Sequence, residues 1–237
     1  MTTDTYWNHN VQYHSVVLDA VPAGCRTALD VGCGDGLLAA ALATRAESVT
    51  GVDRSAEMIR LAGKREARNV TFLAGDYRDG SLLDERGYDF VSAVAVIHHV
   101  PFDDAIDRLV RLLAPGGRLV VVGLAHDRTL LDRAISVCAV PVHLLAARRH
   151  GGERSPAGMP VEDPIMNWRE VRRATAHLLP GRRYRRRLLW RYTLVWDKPP
   201  RTREGGRAPR RRHPRPPRRT APRRPPQRGR ALRPQPL

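Results

Sequence analysis

Cysteine is rare in this sequence, with three residues among 237, at positions 25, 33 and 138. Cysteines so few and so widely spaced exclude a disulfide framework and a cysteine-based zinc site. We therefore expect no metal centre. A cytoplasmic location is expected as well, because free cysteines are typical of reducing compartments.

Two targeting features are also missing. The N-terminus, from Met1 to Trp7, has no basic stretch followed by an apolar one, which excludes a typical secretory signal. The longest uncharged apolar run outside the predicted strands, residues 134–147, is shorter than the roughly 20 residues that a membrane span needs, and it contains Pro141. The sequence therefore predicts no membrane span.

Acidic residues are almost absent from the C-terminal end of the chain. Residues 201–237 contain fourteen Arg and one Glu, and so carry +13 of the formal net charge of +17. Residues 199–237 contain eleven Pro and few apolar side chains, so they are predicted to be a disordered tail behind a folded domain of residues 1–198. Such an Arg and Pro bias arises when a GC-rich gene is read in a shifted frame, and its charge alone could also bind RNA or an anionic membrane.

Apolar segments alternate with helical segments along the first half of the chain. Strands are predicted at residues 26–31, 47–53, 69–76, 88–97 and 118–124. Short connections between alternating strands and helices are typical of a parallel sheet with helices on both faces. The sequence therefore predicts an α/β, doubly wound fold, in which ligands bind beyond the carboxyl ends of the strands.

The second half of the chain has a different pattern. Residues 128–149 are mostly apolar and predict a helix that is kinked near Pro141. Asn167 and Glu170 have the spacing of a capping box at the start of another helix. Two further strands are predicted at residues 182–189 and 192–196. We expect residues 126–180 to form a helical insertion on the substrate side of the domain.

The first predicted strand leads directly into a glycine-rich turn, in which residues 28–36 are Ala-Leu-Asp-Val-Gly-Cys-Gly-Asp-Gly. Glycine permits a tight turn and the close approach of a ligand, and the helix that follows offers free backbone N–H groups. The nicotinamide fingerprint Gly-x-Gly-x-x-Gly needs a glycine at position 37, which is Leu here, so the spacing favours a different adenosyl ligand. Asp53, Asp76 and His98 follow three other strands and are expected at the same edge of the sheet.

Taken together, these segments resemble the motifs of the class I S-adenosylmethionine-dependent methyltransferases. The glycine-rich turn resembles the first motif. The later motifs are matched by Val-Thr-Gly-Val-Asp-Arg-Ser at 49–55, Ala-Gly-Asp-Tyr at 74–77, Asp-Phe-Val-Ser-Ala-Val-Ala-Val-Ile-His-His at 89–99 and Leu-Leu-Ala-Pro-Gly-Gly-Arg-Leu-Val-Val-Val at 112–122. The similarity covers about residues 10–125 and is greatest to the type 11 group, which includes quinone and other small-molecule methyltransferases. It implies a Rossmann-like sheet of seven strands, parallel except for one antiparallel C-terminal strand, and S-adenosyl-L-methionine as cofactor.

The resemblance also implies which residues contact the cofactor. The backbone of Gly32, Cys33 and Gly34 would hold the methionine and ribose portions. Asp30 would support this loop and reach the amino group, and Asp53 would bind both ribose hydroxyls. The remaining implied contacts are Arg54 and Met58 near the adenine, Asp76 at its amino group, Tyr77 beside the ring, and Val96 and Ile97 at the methionine end.

Methyl transfer from a sulfonium depends mainly on alignment of the reacting atoms. A base helps when the acceptor is a hydroxyl or an amine that must lose a proton. The candidate bases are His98 and His99, which follow the fourth predicted strand, and His14 in the N-terminal segment. Lining of the pocket is the alternative role for His98 and His99, and docking of the N-terminal helix is the alternative for His14.

The shared motifs do not define the methyl acceptor. Residues 6–14 and 126–180, including Met159, Met166 and Trp168, are expected to shape its pocket. An apolar helix above the pocket would suit a small or lipophilic acceptor, although the same helix could simply cover the sheet. Three functions therefore stand as alternatives: methyl transfer to a small molecule, methyl transfer to RNA or protein recruited by the Arg-rich regions, and cofactor binding without catalysis.

Overall fold

The computed structural model describes residues 6–156 and 163–201, and the predicted tail beyond residue 201 and Met159 lie outside the described residues. The strands form one sheet in the order β3-β2-β1-β4-β5-β7-β6. Their bounds are β1 Thr27–Val31, β2 Ser48–Asp53, β3 Val70–Ala74, β4 Tyr88–Val94, β5 Leu113–Leu124, β6 Arg183–Arg186 and β7 Arg191–Asp197. Strands β1 to β5 are parallel, whereas β7 is antiparallel to its neighbours β5 and β6. The predicted α/β fold with one antiparallel C-terminal strand is confirmed.

Helices connect the strands and cover both faces of the sheet. The described helices are α1 His14–Asp19, α2 Leu37–Leu42, α3 Ala56–Ala62, α4 Phe102–Leu112, α5 Leu130–Arg149 and α6 Trp168–Leu178, with short 3-10 turns at Val11–Tyr13 and Ile97–His99. Each crossover helix returns the chain to the start of the next parallel strand. The carboxyl ends of the strands therefore lie at one edge of the sheet.

The core is divided between the two faces of the sheet. Successive side chains of a strand point to opposite faces, so Leu29 of β1 packs in a core with Leu109 of α4 and Val171 of α6. Ala28, the preceding residue, packs in a second core with Leu42 of α2. Burial of the central strands on both sides explains why their sequences are almost continuously apolar.

Strand β4 ends at Val94, three residues before the predicted end. Ala95 has a φ of 57°, which is incompatible with an extended strand, and residues Ile97–His99 form a 3-10 turn. The prediction of a strand to residue 97 was therefore wrong. The early end is important because it turns residues 96–100 towards the edge where ligands bind.

Helix caps follow the sequence closely. Ser55 caps α3, since its Oγ accepts the Met58 N–H at 3.3 Å. Asn167 and Glu170 form the predicted capping box of α6. A second capping box, formed by Thr129 and Asp132, begins α5; sequence analysis missed it, although its spacing fits the same motif.

Helix α5 is 20 residues long and includes Pro141. It is long and apolar enough to cross a membrane by length and composition alone, because the helix extends beyond the uncharged run of residues 134–147 at both ends. Ala139 is its one buried residue, and Arg186 Nη1 of β6 pairs with Asp132 Oδ1 in its first turn at 2.6 Å. In this fold α5 is a surface helix attached to the sheet.

Candidate functional site

A cavity of about 690 Å³ lies at the carboxyl ends of β1, β2, β3 and β4. Eight of the residues with an implied cofactor contact line it, namely Asp30, Gly32, Cys33, Asp53, Arg54, Asp76, Tyr77 and Val96. Gly34 lies in the same loop. Met58 and Ile97 are buried and are not among the described residues that line the cavity. The structure thus brings the predicted residues of four strand ends together, and it leaves Met58 and Ile97 outside.

The glycine-rich turn forms the floor of this cavity. The N–H groups of Gly32 and Cys33 donate to the Val52 carbonyl at 2.8 and 3.1 Å, which fixes the turn against β2. Gly32 has a φ of +66°, and a Cβ at this position would lie 2.2 Å from Cγ2 of Val96. Glycine is therefore required here both for its backbone conformation and for space.

Asp53 joins the turn to the end of β2. Its Oδ2 accepts the Gly34 N–H at 2.9 Å, and its Oδ1 accepts the Ser55 N–H at 2.8 Å. Each carboxylate oxygen has a second lone pair, and Asp53 lines the cavity. Asp53 can therefore organise the turn and accept hydrogen bonds from two hydroxyl groups of a ligand.

Asp30 lies below the turn and is 2% exposed. Its Oδ1 accepts a hydrogen bond from Ser92 Oγ at 2.8 Å. Burial raises the pKa of Asp30 to about 7, and the nearby charge of Asp53 acts in the same direction. A positively charged ligand in the cavity would favour the ionised form, so the arrangement is suited to binding a cation.

The adenine end predicted from the resemblance contains Asp76 and Tyr77. Arg78 pairs with the Asp76 carboxylate at 2.6 Å, and this pairing lowers the pKa of Asp76. The Tyr77 hydroxyl is buried and has no hydrogen-bond partner among the described residues. A buried hydroxyl without a partner is costly, and a polar ligand atom in the cavity could accept a hydrogen bond from it.

The N-terminal segment closes one side of the cavity, to which it contributes Tyr6, His9 and His14. The Tyr6 hydroxyl donates to Asp35 Oδ1 at 2.9 Å, and the Arg65 guanidinium also binds the Asp35 carboxylate. The N-terminal segment was expected at the pocket. Its attachment there through the contacts of Asp35 with Tyr6 and Arg65 was not predicted, because the three residues are far apart in the sequence and form no motif.

The three candidate bases also face the cavity. His98 and His99 follow Val96 in the turn after β4, and their ring centroids are 4.0 Å apart. Burial lowers the pKa of His14 to about 4, so this ring is neutral at physiological pH and a poor proton acceptor. The low pKa of His14 therefore leaves His98 and His99 as the favoured candidate bases.

A second, smaller cavity of about 310 Å³ lies beside the first. His98, His99, Val100 and Leu124 line both cavities. The remaining lining is mostly apolar and comes from three separate parts of the chain, with Ile97, Pro101, Phe102, Pro164, Ile165, Met166, Val171 and Tyr192. The smaller cavity is therefore an apolar compartment next to the candidate bases.

The insertion contributes less of the site than the sequence predicted. Among the described residues, those of α5 line neither cavity, so of the two alternatives for this helix the structure does not support a lid over the pocket. Its apolar residues face outward, with Leu130 83% and Leu131 70% exposed. Met166 lines the smaller cavity as predicted, whereas Trp168 is buried and donates its Nε1–H to Asp127 at 2.8 Å.

Comparison with known sequences agrees with this geometry. Residues 29–121 match the family described as a methyltransferase domain, type 11. An uncharacterized methyltransferase of Mycobacterium tuberculosis is 34% identical over 207 residues, which cover 83% of this chain and 99% of that protein. The ubiquinone biosynthesis O-methyltransferase of Xylella fastidiosa is 36% identical over 134 residues, which cover 55% of this chain and 54% of that protein.

Solved structures share the fold at low sequence identity. The complex of DhpI with SAH has a TM-score of 0.55 at 22% identity and covers 82% of this chain and 89% of its own. The phosphoethanolamine N-methyltransferase 2 of Haemonchus contortus, solved with phosphomonomethylethanolamine and S-adenosylhomocysteine, has a TM-score of 0.55 at 14% identity. The similar region covers 79% of this chain and 53% of that enzyme.

Proposed function

This chain belongs to the class I S-adenosylmethionine-dependent methyltransferases of type 11, and on that premise we propose that it methylates a small, largely apolar molecule at a hydroxyl oxygen. S-adenosylmethionine is its cofactor and supplies an activated methyl group from a sulfonium. One observation carries the proposal: an apolar cavity shares His98 and His99 with the larger cavity. The similarity to an O-methyltransferase of ubiquinone biosynthesis supports oxygen as the acceptor atom.

The residues of the larger cavity fit this cofactor. The turn at Gly32 leaves space that a Cβ would fill, and Asp30 and Asp53 offer carboxylates to an ammonium group and to ribose hydroxyls. The buried Tyr77 hydroxyl has no partner among the described residues and can donate to an acceptor atom of the adenosyl group. The binding residues orient the ligand, and the N-terminal segment covers it and reduces its contact with water.

The smaller cavity supports the proposed acceptor class. Its volume of about 310 Å³ is at the lower end of the range for ligand sites, roughly 300–1,000 Å³. Phe102, Ile165 and Met166 provide an apolar wall, which favours a ring or a short alkyl group over a charged polymer. Because His98 and His99 separate the two cavities, an acceptor bound in the smaller one would present its hydroxyl to the methyl donor beside these rings.

We expect His98 and His99 to accept the proton of the acceptor hydroxyl. Replacing both by Ala should lower kcat by about 100-fold or more at neutral pH, the usual contribution of general base catalysis. The loss should shrink above pH 9–10, roughly the range in which a phenol ionises by itself. Rates with a panel of apolar phenols and labelled cofactor would measure both effects, and the exposed His177→Ala variant is the control.

The same panel tests the proposed acceptor class. Transfer to at least one apolar phenol, with unchanged cofactor affinity in the double His variant, is the expected result. An equal kcat in the double variant at every pH would contradict the role of the two rings. Transfer to RNA or protein, with no transfer to any small phenol or alcohol, would contradict the proposed function.

Asp30 gives a separate prediction with a defined pH dependence. Because its pKa is raised to about 7, the folded state holds a proton that the unfolded state releases near its ordinary value. The free energy of unfolding should therefore fall as the pH rises from about 4 to 7. In Asp30→Asn this decline should be absent, so the Tm of the variant relative to wild type should rise between pH 5 and pH 8.

Although Asp30→Asn should gain in relative Tm at pH 8, it should lose affinity for the cofactor at that pH. Loss of the carboxylate should weaken S-adenosylmethionine binding at pH 8 by about tenfold, as expected for one hydrogen bond to a charged group. Thermal unfolding at the two pH values and calorimetric titration would measure both effects. A Tm difference that does not change with pH would show that Asp30 has no raised pKa in the folded state.

A further inference from the structure

A cluster of metal-ligand side chains lies at the rim of the larger cavity, and the methyltransferase site does not use it. His9, His143 and Glu153 each offer one ligand atom, and these atoms lie within 4.8 Å of one another. His9 Nε2 is 2.8 Å from His143 Nδ1, and His9 Nδ1 is 3.8 Å from Glu153 Oε1. Two imidazoles and one carboxylate are a ligand set of zinc enzymes.

The three side chains come from separate segments that other contacts already hold together. The Arg154 N–H donates to the Trp7 carbonyl at 2.8 Å, and the Asn8 amide donates to Ser155 Oγ at 3.0 Å. Trp7 also stacks on His150, with ring centroids 5.4 Å apart and an angle of 2°. These contacts bring His9 and Glu153 close to the end of α5 before any ion binds.

The indole ring of Trp190 further restricts the two histidines. It lies 5.2 Å from the His9 ring and 6.3 Å from the His143 ring between centroids. The His9 side chain is 18% exposed and that of Glu153 is 40% exposed, and both line the cavity. An ion can therefore reach the cluster from solvent and retain water molecules in its coordination shell.

The electrostatic balance at the cluster allows a cation to bind. Arg191 lies nearby and opposes a cation, but its Nε and Nη2 donate to Asn10 Oδ1. The Glu153 carboxylate acts against the Arg191 charge.

We propose that His9, His143 and Glu153 bind a divalent transition-metal ion of the zinc class. Zinc bonds of about 2.0–2.1 Å place tetrahedral ligands about 3.3 Å apart. The three ligand atoms lie within 4.8 Å of one another, so the side chains must shift to enclose an ion. Imidazole ligands favour zinc, nickel and copper over magnesium and calcium, which prefer oxygen. This site departs from the expectation of no metal centre, which considered cysteine alone.

Such an ion would have two consequences for the molecule. It would link the N-terminal segment to α5 and to the loop that contains Glu153, and so stabilise one wall of the larger cavity. Three protein ligands also leave a coordination position that water can fill. The site is independent of the proposed acceptor, because neither His143 nor α5 lines the smaller cavity among the described residues.

The test is zinc binding to the full chain, freed of metal, without cofactor or acceptor. A chromophoric chelator competes for zinc, and wild type is compared with His143→Ala, Glu153→Gln and the control His177→Ala. We expect one site whose affinity falls by about tenfold or more in the first two variants and is unchanged in the control. Zinc should raise the Tm of wild type, and magnesium should not.

Two results would overturn the proposal. One is that wild type fails to compete with the chelator for zinc. The other is binding that has the same affinity in wild type, His143→Ala and Glu153→Gln, which would place the ion elsewhere. Glu153→Gln keeps the size and hydrogen-bonding capacity of the side chain, so a change in zinc affinity in this variant cannot be attributed to misfolding if its Tm without zinc equals that of wild type.

Discussion

The Asp53→Ala variant should bind S-adenosylmethionine at least about 100-fold more weakly than wild type. Two hydrogen bonds from ribose hydroxyls to a carboxylate are worth about 1.5–3 kcal/mol each, and about 2.8 kcal/mol corresponds to that factor. The variant also loses the acceptors of the Gly34 and Ser55 N–H groups. The effect should therefore combine lost ligand contacts with a less ordered glycine-rich turn.

Isothermal titration calorimetry at neutral pH measures this difference directly. Asp19→Ala is the matched control, because Asp19 is an exposed carboxylate at the end of α1. The control should bind the cofactor with wild-type affinity. Equal affinities for wild type and Asp53→Ala would mean that Asp53 contributes only to the local fold of the turn.

The Gly32→Ala variant should lose cofactor affinity to a similar extent, by about 100-fold. Its φ of +66° strains a residue with a Cβ, and that Cβ would lie 2.2 Å from Cγ2 of Val96. A left-handed backbone alone costs about 1–3 kcal/mol, and relief of the contact requires the turn or Val96 to move. Gly32 and Val96 both line the larger cavity, so this movement should reduce cofactor affinity as well as Tm.

A double-mutant cycle can separate these two causes. Val96→Ala removes both Cγ atoms, so the combination with Gly32→Ala should recover part of the affinity and give a favourable coupling energy. Gly80→Ala is the control, because nothing lies within 4 Å of a Cβ at that position. Additive losses in the double variant would show that the backbone conformation, and not the contact with Val96, sets the requirement for glycine.

Much of the lining of the larger cavity was predictable from the sequence, because short sequence motifs at the strand ends determine it. The Gly-x-Gly-x-Gly turn must follow a strand, and Asp53 and Asp76 must lie at the ends of neighbouring parallel strands. Their convergence follows from the topology of a doubly wound sheet. The capping residues Ser55 and Asn167 were predictable for the same reason, since each cap involves residues within one helical turn.

The features that sequence analysis missed depend on contacts between distant segments. Tyr6 meets Asp35 across 29 residues, and His9 meets His143 across 134 residues. Helix α5 was predicted correctly as a helix, but its contacts with distant segments were not, among them the ion pair between Asp132 and Arg186 of β6. The sequence shows which residues of α5 are apolar. It does not show which of them contact the rest of the protein, and in the structure Leu130 and Leu131 are exposed while Ala139 is buried.

The position at which β4 ends was predicted wrongly because it is set by the backbone conformation of one residue, Ala95. Residues 94–97 read Val-Ala-Val-Ile, which fits a buried strand by composition, but Ala95 adopts a positive φ of 57°. A non-glycine residue in this region is uncommon and is frequent at functional sites. The resulting turn places Val96 in the lining of the larger cavity, and it places His98 and His99 in the lining of both cavities, where we propose that the chemistry takes place.

The most direct test of this account is methyl transfer from radiolabelled S-adenosylmethionine into a whole-cell extract. After the reaction, organic-extractable small molecules, RNA and protein are separated and counted, with Asp53→Ala as the blank. We predict that wild-type enzyme places label above the blank in the organic fraction, in a compound with a methylated hydroxyl. Label confined to RNA or protein, or equal label in wild type and blank, would contradict the account.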